Sequence, residues 1–322
     1  MLSRPSPITV VAAQMTQPAD ISERASFAGA IRGIPGVDGF EVPVANTVWN
    51  EDVEWISPQL ALGGEHVLSL IGAFMDRRAD GVGLASSNHD KRLEAINLVR
   101  TAHQYAEYIH QAGSGRIRDL IVYSAPTAED PKIAGAWMRE SMNRILSWDW
   151  HGINVVIEHC DSIRHDGSFE KGFLPIEEEL DILDALSAPN TGIVVNWARS
   201  AIEGRSTQTP IEHVVLARER GWLRGITLSG VVPTTSDFGQ PWADAHAPFS
   251  DAEGAAGEPS SLLNLSAAAD FIRAAGNGVD FREVKVAVRR ADADAAARIE
   301  TNRHALSAIT MASNHTDADR PS

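Results

Sequence analysis

The chain has 322 residues, 43% of them hydrophobic and 22% charged, with a formal net charge of −15. This length and composition suit a soluble globular protein with a sizeable core, and α/β barrels reach this size as one domain. So acidic a balance argues against nucleic acid or an anionic membrane as partner, although a locally basic pocket could still take an anionic small molecule.

From the N-terminus, the apolar stretch in MLSRPSPITVVAAQM is short and interrupted by Pro5 and Pro7, so no signal segment is expected there. No run elsewhere has the length of a membrane span. Strands are expected at ITVVAAQ (8–14), GFEVPV (39–44) and HVLSLIGAF (66–74), with an irregular stretch over 45–65. KRLEAINLVRTAHQYAEYIHQAG (91–113) has helical periodicity and stops at a glycine. Next come a strand at DLIVYSA (119–125) and a helix over 131–150, with Pro131 in its first turn. Strands at INVVIEH (153–159) and GIVVNWA (192–198) precede helices over 175–188 and 210–221, each also opened by a proline. GITLSG (225–230) leads into a long loop, 231–265, rich in Pro, Gly, Ser and Asp, and a loop of that length is usually functional. A last strand, VKVAVR (284–289), precedes a helix over 292–312, and 313–322 reads as a disordered tail.

The strands are apolar on both faces, as in a parallel sheet covered by helices. Eight strand–helix units in one chain favour a single (β/α)8 barrel over 1–312. The single cysteine, Cys160, excludes an intrachain disulfide and suits a reducing, cytoplasmic compartment.

In such a barrel, residues at the C-terminal strand ends and in the following loops face the active site. That rule selects Gln14, Glu41, Tyr123, Ser124, Glu158, His159, Asp161, Asn196, Trp197, Arg199, Ser200, Ser229 and Lys285, with Trp242, Asp244 and His246 in the long loop. Ionisable groups inside apolar strands cost a few kcal/mol each unless paired, so each needs a reason.

The strings IEHCDS, EKGFLP, VVNWARSAIE, GQPWADAHAPF, EPSSLL and VKVAVR resemble the motif series of a bacterial family in the xylose-isomerase-like barrel superfamily. The resemblance covers almost the whole chain. It implies a xylose-isomerase-like TIM barrel and a superfamily of sugar isomerases, epimerases, endonucleases and lyases, many using a divalent metal (Mn, Zn, Co or Mg). The superfamily's ligand pattern is Glu, Asp, His and Glu on four successive strands. Glu158 matches the first position, whereas Asn196, Ser229 and Lys285 stand at the other three. A protonated ammonium cannot ligate a cation, so a metal would need a rearranged set drawn from Glu158, His159, Asp161 and His246.

Each candidate also has a plainer reading. Glu158 is either the base or a structural partner of Arg199 or Lys285. Lys285 either tunes an acid, binds an anionic group or forms a Schiff base, or is the counter-ion of Glu158. Strand alternation turns either Glu158 or His159 outward, and a packed histidine is the plainer role. Asp161 caps a loop or binds ligand, and Cys160 is buried filler. Glu170 and Lys171 form a solvated pair or touch substrate. Asn196 and Arg199 suit hydroxyl and anion contacts. Trp197, Trp242 and Phe249 either stack on a sugar ring or pack. Asp244 and His246 suit acid/base work delivered by a lid.

Phosphate-cradling glycine loops, a GXSXG elbow, CXXC and HEXXH are absent. The expectation is therefore a sugar or sugar-acid isomerase or epimerase moving a proton next to a carbonyl, with or without metal. Glu158, Lys285 and His246 are its catalytic candidates; Glu41, Lys171, Asn196, Trp197, Arg199, Ser229, Trp242 and Asp244 are those for substrate binding. The alternatives are a lyase or hydrolase of a modified sugar and a metal-free sugar-binding barrel. The expected partner is a small carbohydrate, anionic or neutral; homo-oligomerisation is left open.

Overall fold

The computed structural model of the chain describes residues 7–44, 60, 63–112, 115–289 and 293–318. Its eight strands are β1 (Ile8–Val11), β2 (Gly39–Pro43), β3 (Gly64–Ser69), β4 (Gly115–Val122), β5 (Asn154–Glu158), β6 (Thr191–Asn196), β7 (Leu223–Leu228) and β8 (Phe281–Val284). They follow one another round a closed barrel in chain order. Parallel registers include β4 with β5, Val122 opposite Ile157, and β7 with β8, Thr227 opposite Glu283.

The helices among the described residues are α1 (Ile21–Arg32), α2 (Ile71–Arg77), α3 (His89–Ala112), α4 (Pro131–Leu146), α5 (Ile176–Leu186), α6 (Trp197–Gly204), α7 (Thr209–Glu219), α8 (Leu265–Ala275) and α9 (Ala295–Ala318). Their starts have local causes. Asp20, Asp130, Asn196 and Asn264 each accept a backbone N–H at a helix N-terminus. Pro131 occupies the first turn of α4, where its missing N–H costs nothing.

The chain forms two compact units, one of Met1–Asp38, Val195–Arg218 and Gly225–Ser322, the other of Gly39–Val194 and Glu219–Arg224. The first buries Val10, Ile31, Ile226, Phe271 and Phe281; the second buries Phe40, Leu68, Ile121, Val156 and Leu183. In both, strand residues are buried on both faces, as expected of parallel strands under helices.

Every strand differs from its expected span at one end or both, β1 ending at Val11 and β4 starting at Gly115 among them, and in three the difference has a clear cause. HVLSLIGAF is divided, because β3 ends at Ser69 and α2 begins at Ile71. GIVVNWA ends as a strand at Asn196, whose side chain caps α6. The eighth strand lies three residues earlier than expected, at FREV, and Val286 and Ala287 are buried beyond its end. Helices α1, α2, α6 and α8 were not anticipated. Residues 229–264 hold one 3-10 turn, Gly254–Ala256, and isolated bridges such as Gly230 to Ala247. Most of the irregular stretch over 45–65 lies outside the described residues, and α9 runs to Ala318, into the stretch read as a tail.

Gly225 on β7 is required by close approach. A Cβ there would lie 2.6 Å from the ring carbons of Phe281, which is fully buried. Gly225→Ala is expected to lower the unfolding free energy by about 1–3 kcal/mol through overpacking. Urea denaturation checks this, and an unchanged midpoint would contradict it.

Candidate active site

In the second unit, Glu158 ends β5 and is fully buried. Tyr123, one residue past β4, donates its hydroxyl to Glu158 Oε2 at 2.5 Å. The register explains the contact, since Val122 opposite Ile157 sets Tyr123 opposite Glu158. A phenol has one hydrogen, so Ser69 Oγ, 2.9 Å away at the end of β3, donates to the tyrosine oxygen. The carboxylate is therefore held in one orientation by a relay across three strands.

His159, the next residue, turns to the helix layer. Its Nδ1 bonds Glu179 Oε2 of α5 at 2.8 Å, and Ser124 Oγ donates to Glu179 Oε1, also at 2.8 Å. Glu158 thus occupies the inner face of β5 and His159 the outer. Asp161 caps a loop: its carboxylate accepts the backbone N–H groups of Glu170 at 2.7 Å and Lys171 at 3.1 Å. That loop is tied down again by Thr127, whose hydroxyl donates to the Lys171 carbonyl at 2.8 Å, and by Arg78, which donates to the Glu170 carbonyl. Lys171 is buried, so a solvated surface pair does not describe it. Cys160 is a buried free thiol, and Glu41 is buried on β2.

In the first unit, Asn196 Oδ1 accepts the N–H groups of Ala198 and Arg199 at the start of α6. Its side-chain oxygen is thus engaged in capping rather than presented to a hydroxyl. Trp197 and Arg199 are fully buried, and Arg199 Nε lies 3.1 Å from Asp244 Oδ2. Asp244 Oδ1 lies 3.6 Å from His246 Nδ1, which is hydrogen-bonded to Ser229 Oγ at 2.7 Å. The loop between adopts rare backbone, with φ of +66° at Trp242 and +56° at His246. Strain of this kind persists only where the surroundings over-determine it. Here Arg205 stacks on the Trp242 ring at 5.0 Å, and the His246 carbonyl accepts the Ala287 N–H.

Lys285 follows the end of β8 and lies 3.7 Å from Glu283 Oε1, while Thr227 of β7 donates to Glu283 Oε2 at 2.7 Å. Glu283 is fully buried and was not anticipated, although strand alternation places residues 283 and 285 on one face. Arg282, the residue before Glu283, falls on the opposite face, and burial pushes its guanidinium below the usual range. His213 of α7 and Glu203 of α6 form another nitrogen–carboxylate pair, Nε2 to Oε1 at 3.7 Å, with Ser200 Oγ on the other histidine nitrogen.

These partnerships stand beside the expected ones. The structure gives Glu158 a tyrosine, Arg199 an aspartate and Lys285 a neighbouring glutamate. Nor do the expected metal candidates gather as one ligand set, because Glu158 and His159 occupy opposite faces of β5 and Asp161 is committed to loop amides.

The chain belongs to the family described as a domain of unknown function, DUF4862, whose pattern matches residues 10–301. The uncharacterized protein STM3670 of Salmonella typhimurium is 30% identical over 295 residues, 90% of this chain and 91% of that one. Among solved structures, a D-tagatose 3-epimerase-like protein superposes with a TM-score of 0.64 at 14% identity, covering 96% of this chain and 99% of its own. The IOLI protein with a bound zinc atom superposes with a TM-score of 0.61 at 11% identity, covering 96% and 98%. At these identities the likeness establishes the shared fold.

The network around Glu179 generates a stability prediction. Glu179→Ala leaves the buried His159 and Ser124 without their shared acceptor, and the expected loss is about 3–5 kcal/mol. Glu179→Gln retains one acceptor and should lose less. Equilibrium unfolding of both variants checks the order, and equal losses would contradict it.

Proposed function

We propose that the protein is an isomerase or epimerase of a sugar or sugar-acid, moving a proton next to a carbonyl through an enediol. The observation that carries this reading is the Glu158 carboxylate, wholly buried at the C-terminal end of a barrel strand and oriented by the Tyr123 hydroxyl. Carboxylates at such strand ends are characteristically catalytic, and a general base must be held within hydrogen-bond reach of the proton it takes. The likeness in fold to a D-tagatose 3-epimerase-like protein supports the same class.

In this reading Glu158 removes the proton from the carbon beside the carbonyl. Lys171 and Glu41, of the same unit, are proposed to hold the sugar. Lys285 and His246 have the chemistry to stabilise an oxyanion and return a proton, and Trp242 and Ser229 that of sugar contacts. The buried Arg199–Asp244 pair fixes the loop that carries His246, and Asn196 and Trp197 shape the start of α6.

The superfamily's four-position metal site does not fit these residues. Asn196 Oδ1 is engaged in capping, Ser229 bonds a histidine, and Lys285 brings an ammonium group. The reaction is accordingly written on the chain's own groups. A divalent metal such as the zinc of the IOLI protein would need other nitrogen and carboxylate ligands, of the type of His213 with Glu203.

Glu158→Gln preserves an acceptor for Tyr123 and removes the base. It should reduce solvent-deuterium incorporation next to the carbonyl by about 10²–10⁴-fold with little change in melting temperature. Deuterium exchange on a panel of aldoses, ketoses and sugar acids is the measurement, and a fully active variant removes the reading. Exchange by wild-type protein should also survive chelator treatment. Loss by chelation with recovery on adding Mn or Zn would return a metal to the mechanism.

A further inference from the structure

Beside the loop that carries Lys171, the second unit contains a cavity of about 440 Å³ that the proton-transfer reading does not use. Its size falls within the range of small-molecule sites, roughly 300–1,000 Å³. Its walls are the segment between α2 and α3 and the segment from Pro126 into α4. Trp137 and Pro126 supply apolar surface, while Ser87, Asn88, Thr127 and Glu129 supply hydroxyl, amide and carboxylate groups.

Three properties define what such a cavity takes. First, the lining carries Asp80, Glu129 and Asp130 with Lys91, which is paired with Glu94 at 3.3 Å, and three arginines adjoin it: Arg77 at 3.5 Å from Asp80, Arg78 on the Thr127 hydroxyl and Arg92 on the Trp137 ring. That near balance of charge favours neither a strong anion nor a strong cation and suits a neutral ligand. Second, the aromatic wall is preset. The Arg92 guanidinium lies 4.2 Å from the centre of the Trp137 ring and donates to the carbonyls of Ser86 and Ser87 at 2.9 and 3.3 Å. Third, the buried indole N–H of Trp137 finds no acceptor among the described residues. A buried N–H is ordinarily paired, so this donor suits a ligand oxygen. Asn88 adds another donor, because its Oδ1 accepts from the amides of Asp90 and Lys91 and its NH₂ group remains. An aromatic plane beside neutral donors and carboxylate acceptors matches a sugar ring, which has an apolar C–H face and a hydroxyl rim.

The cavity neighbours the candidate active site. Thr127 lines it and also holds the Lys171 carbonyl, while Pro126 lies three residues beyond Tyr123 in the chain. Three residues span at most roughly 11 Å, so one linked pair of sugar rings can reach from one to the other.

We propose that this cavity is a glycosyl-binding subsite. It holds the non-reacting, uncharged sugar unit of a disaccharide or glycoside while the linked ring lies at Glu158. The inference rests on the proton-transfer reading for the identity of the reacting ring, whereas binding in the cavity can be measured without any reaction.

The test is saturation-transfer NMR titration of the full chain with cellobiose, maltose and lactose, each against D-glucose. At least one disaccharide should bind about tenfold or more tightly than glucose, a difference of about 1.4 kcal/mol. Trp137→Ala should remove that preference and leave glucose affinity unchanged. Ser87→Trp, which fills the cavity from an exposed position, should do the same if the alanine variant does not fold. Glu158→Gln should keep the preference while losing proton exchange. A wild-type protein that binds none of these disaccharides at millimolar concentration, or no more tightly than glucose, overturns the subsite and leaves the proton-transfer reading intact. A disaccharide preference with no exchange on any sugar overturns the proton-transfer reading and leaves the subsite standing.

Discussion

The hydrogen bond from Tyr123 to Glu158 depends on three strands being in register. A carboxylate with no solvent exposure is costly unless its lone pairs are satisfied. The donor comes from β4, which is itself oriented by Ser69 at the end of β3. A one-residue slip between β4 and β5 would turn Tyr123 to the other face and leave Glu158 without this donor. The parallel register and the chemical competence of the site are therefore one constraint. Apolar packing of the barrel strands fixes the register, and the register delivers the phenol.

The same requirement is met differently elsewhere. Glu179 on α5 collects His159 and Ser124, so a helix is stitched to the ends of two strands. Glu283 on β8 collects Thr227 from β7 and sits beside Lys285. Each of these two buried carboxylates is answered by a residue of a neighbouring or underlying strand, and the polar groups thereby help to specify which elements lie side by side.

Much of the barrel was legible in the sequence, because eight apolar runs alternate with helical periodicity and prolines or caps mark the helix starts. The observed elements depart from the expected ones where apolar content is the main signal. Leu70 and Ile71 continue the apolar run of β3 while the backbone turns into α2, and no polar residue marks the change. In NWARSAIE the signal was present, since Asn is a favoured N-cap and here ends the strand by capping α6. Asn196, expected as a sugar contact, uses its Oδ1 for this cap. At β8 the charged residues of FREV break the apolar run, so the strand was displaced onto VKVAVR and Glu283 was missed. Pairings such as Tyr123 with Glu158 or Arg199 with Asp244 join residues 35 and 45 positions apart and depend on strand order and loop path. Periodicity does not carry that information.

The run EHCD shows why linear proximity misleads about chemistry. Glu158, His159 and Asp161 have the residue types of a metal site, and in sequence they form the densest such cluster in the chain's apolar strands. In a pleated strand, successive side chains take opposite faces. Glu158 consequently meets Tyr123 inside, and the Nδ1 of His159 meets Glu179 under the helices, each in a separate network. Asp161, past the strand end, is used up by two backbone amides. What four adjacent letters bring together the backbone separates, leaving the carboxylate at the strand end to act with partners drawn from other strands rather than with its neighbours in sequence.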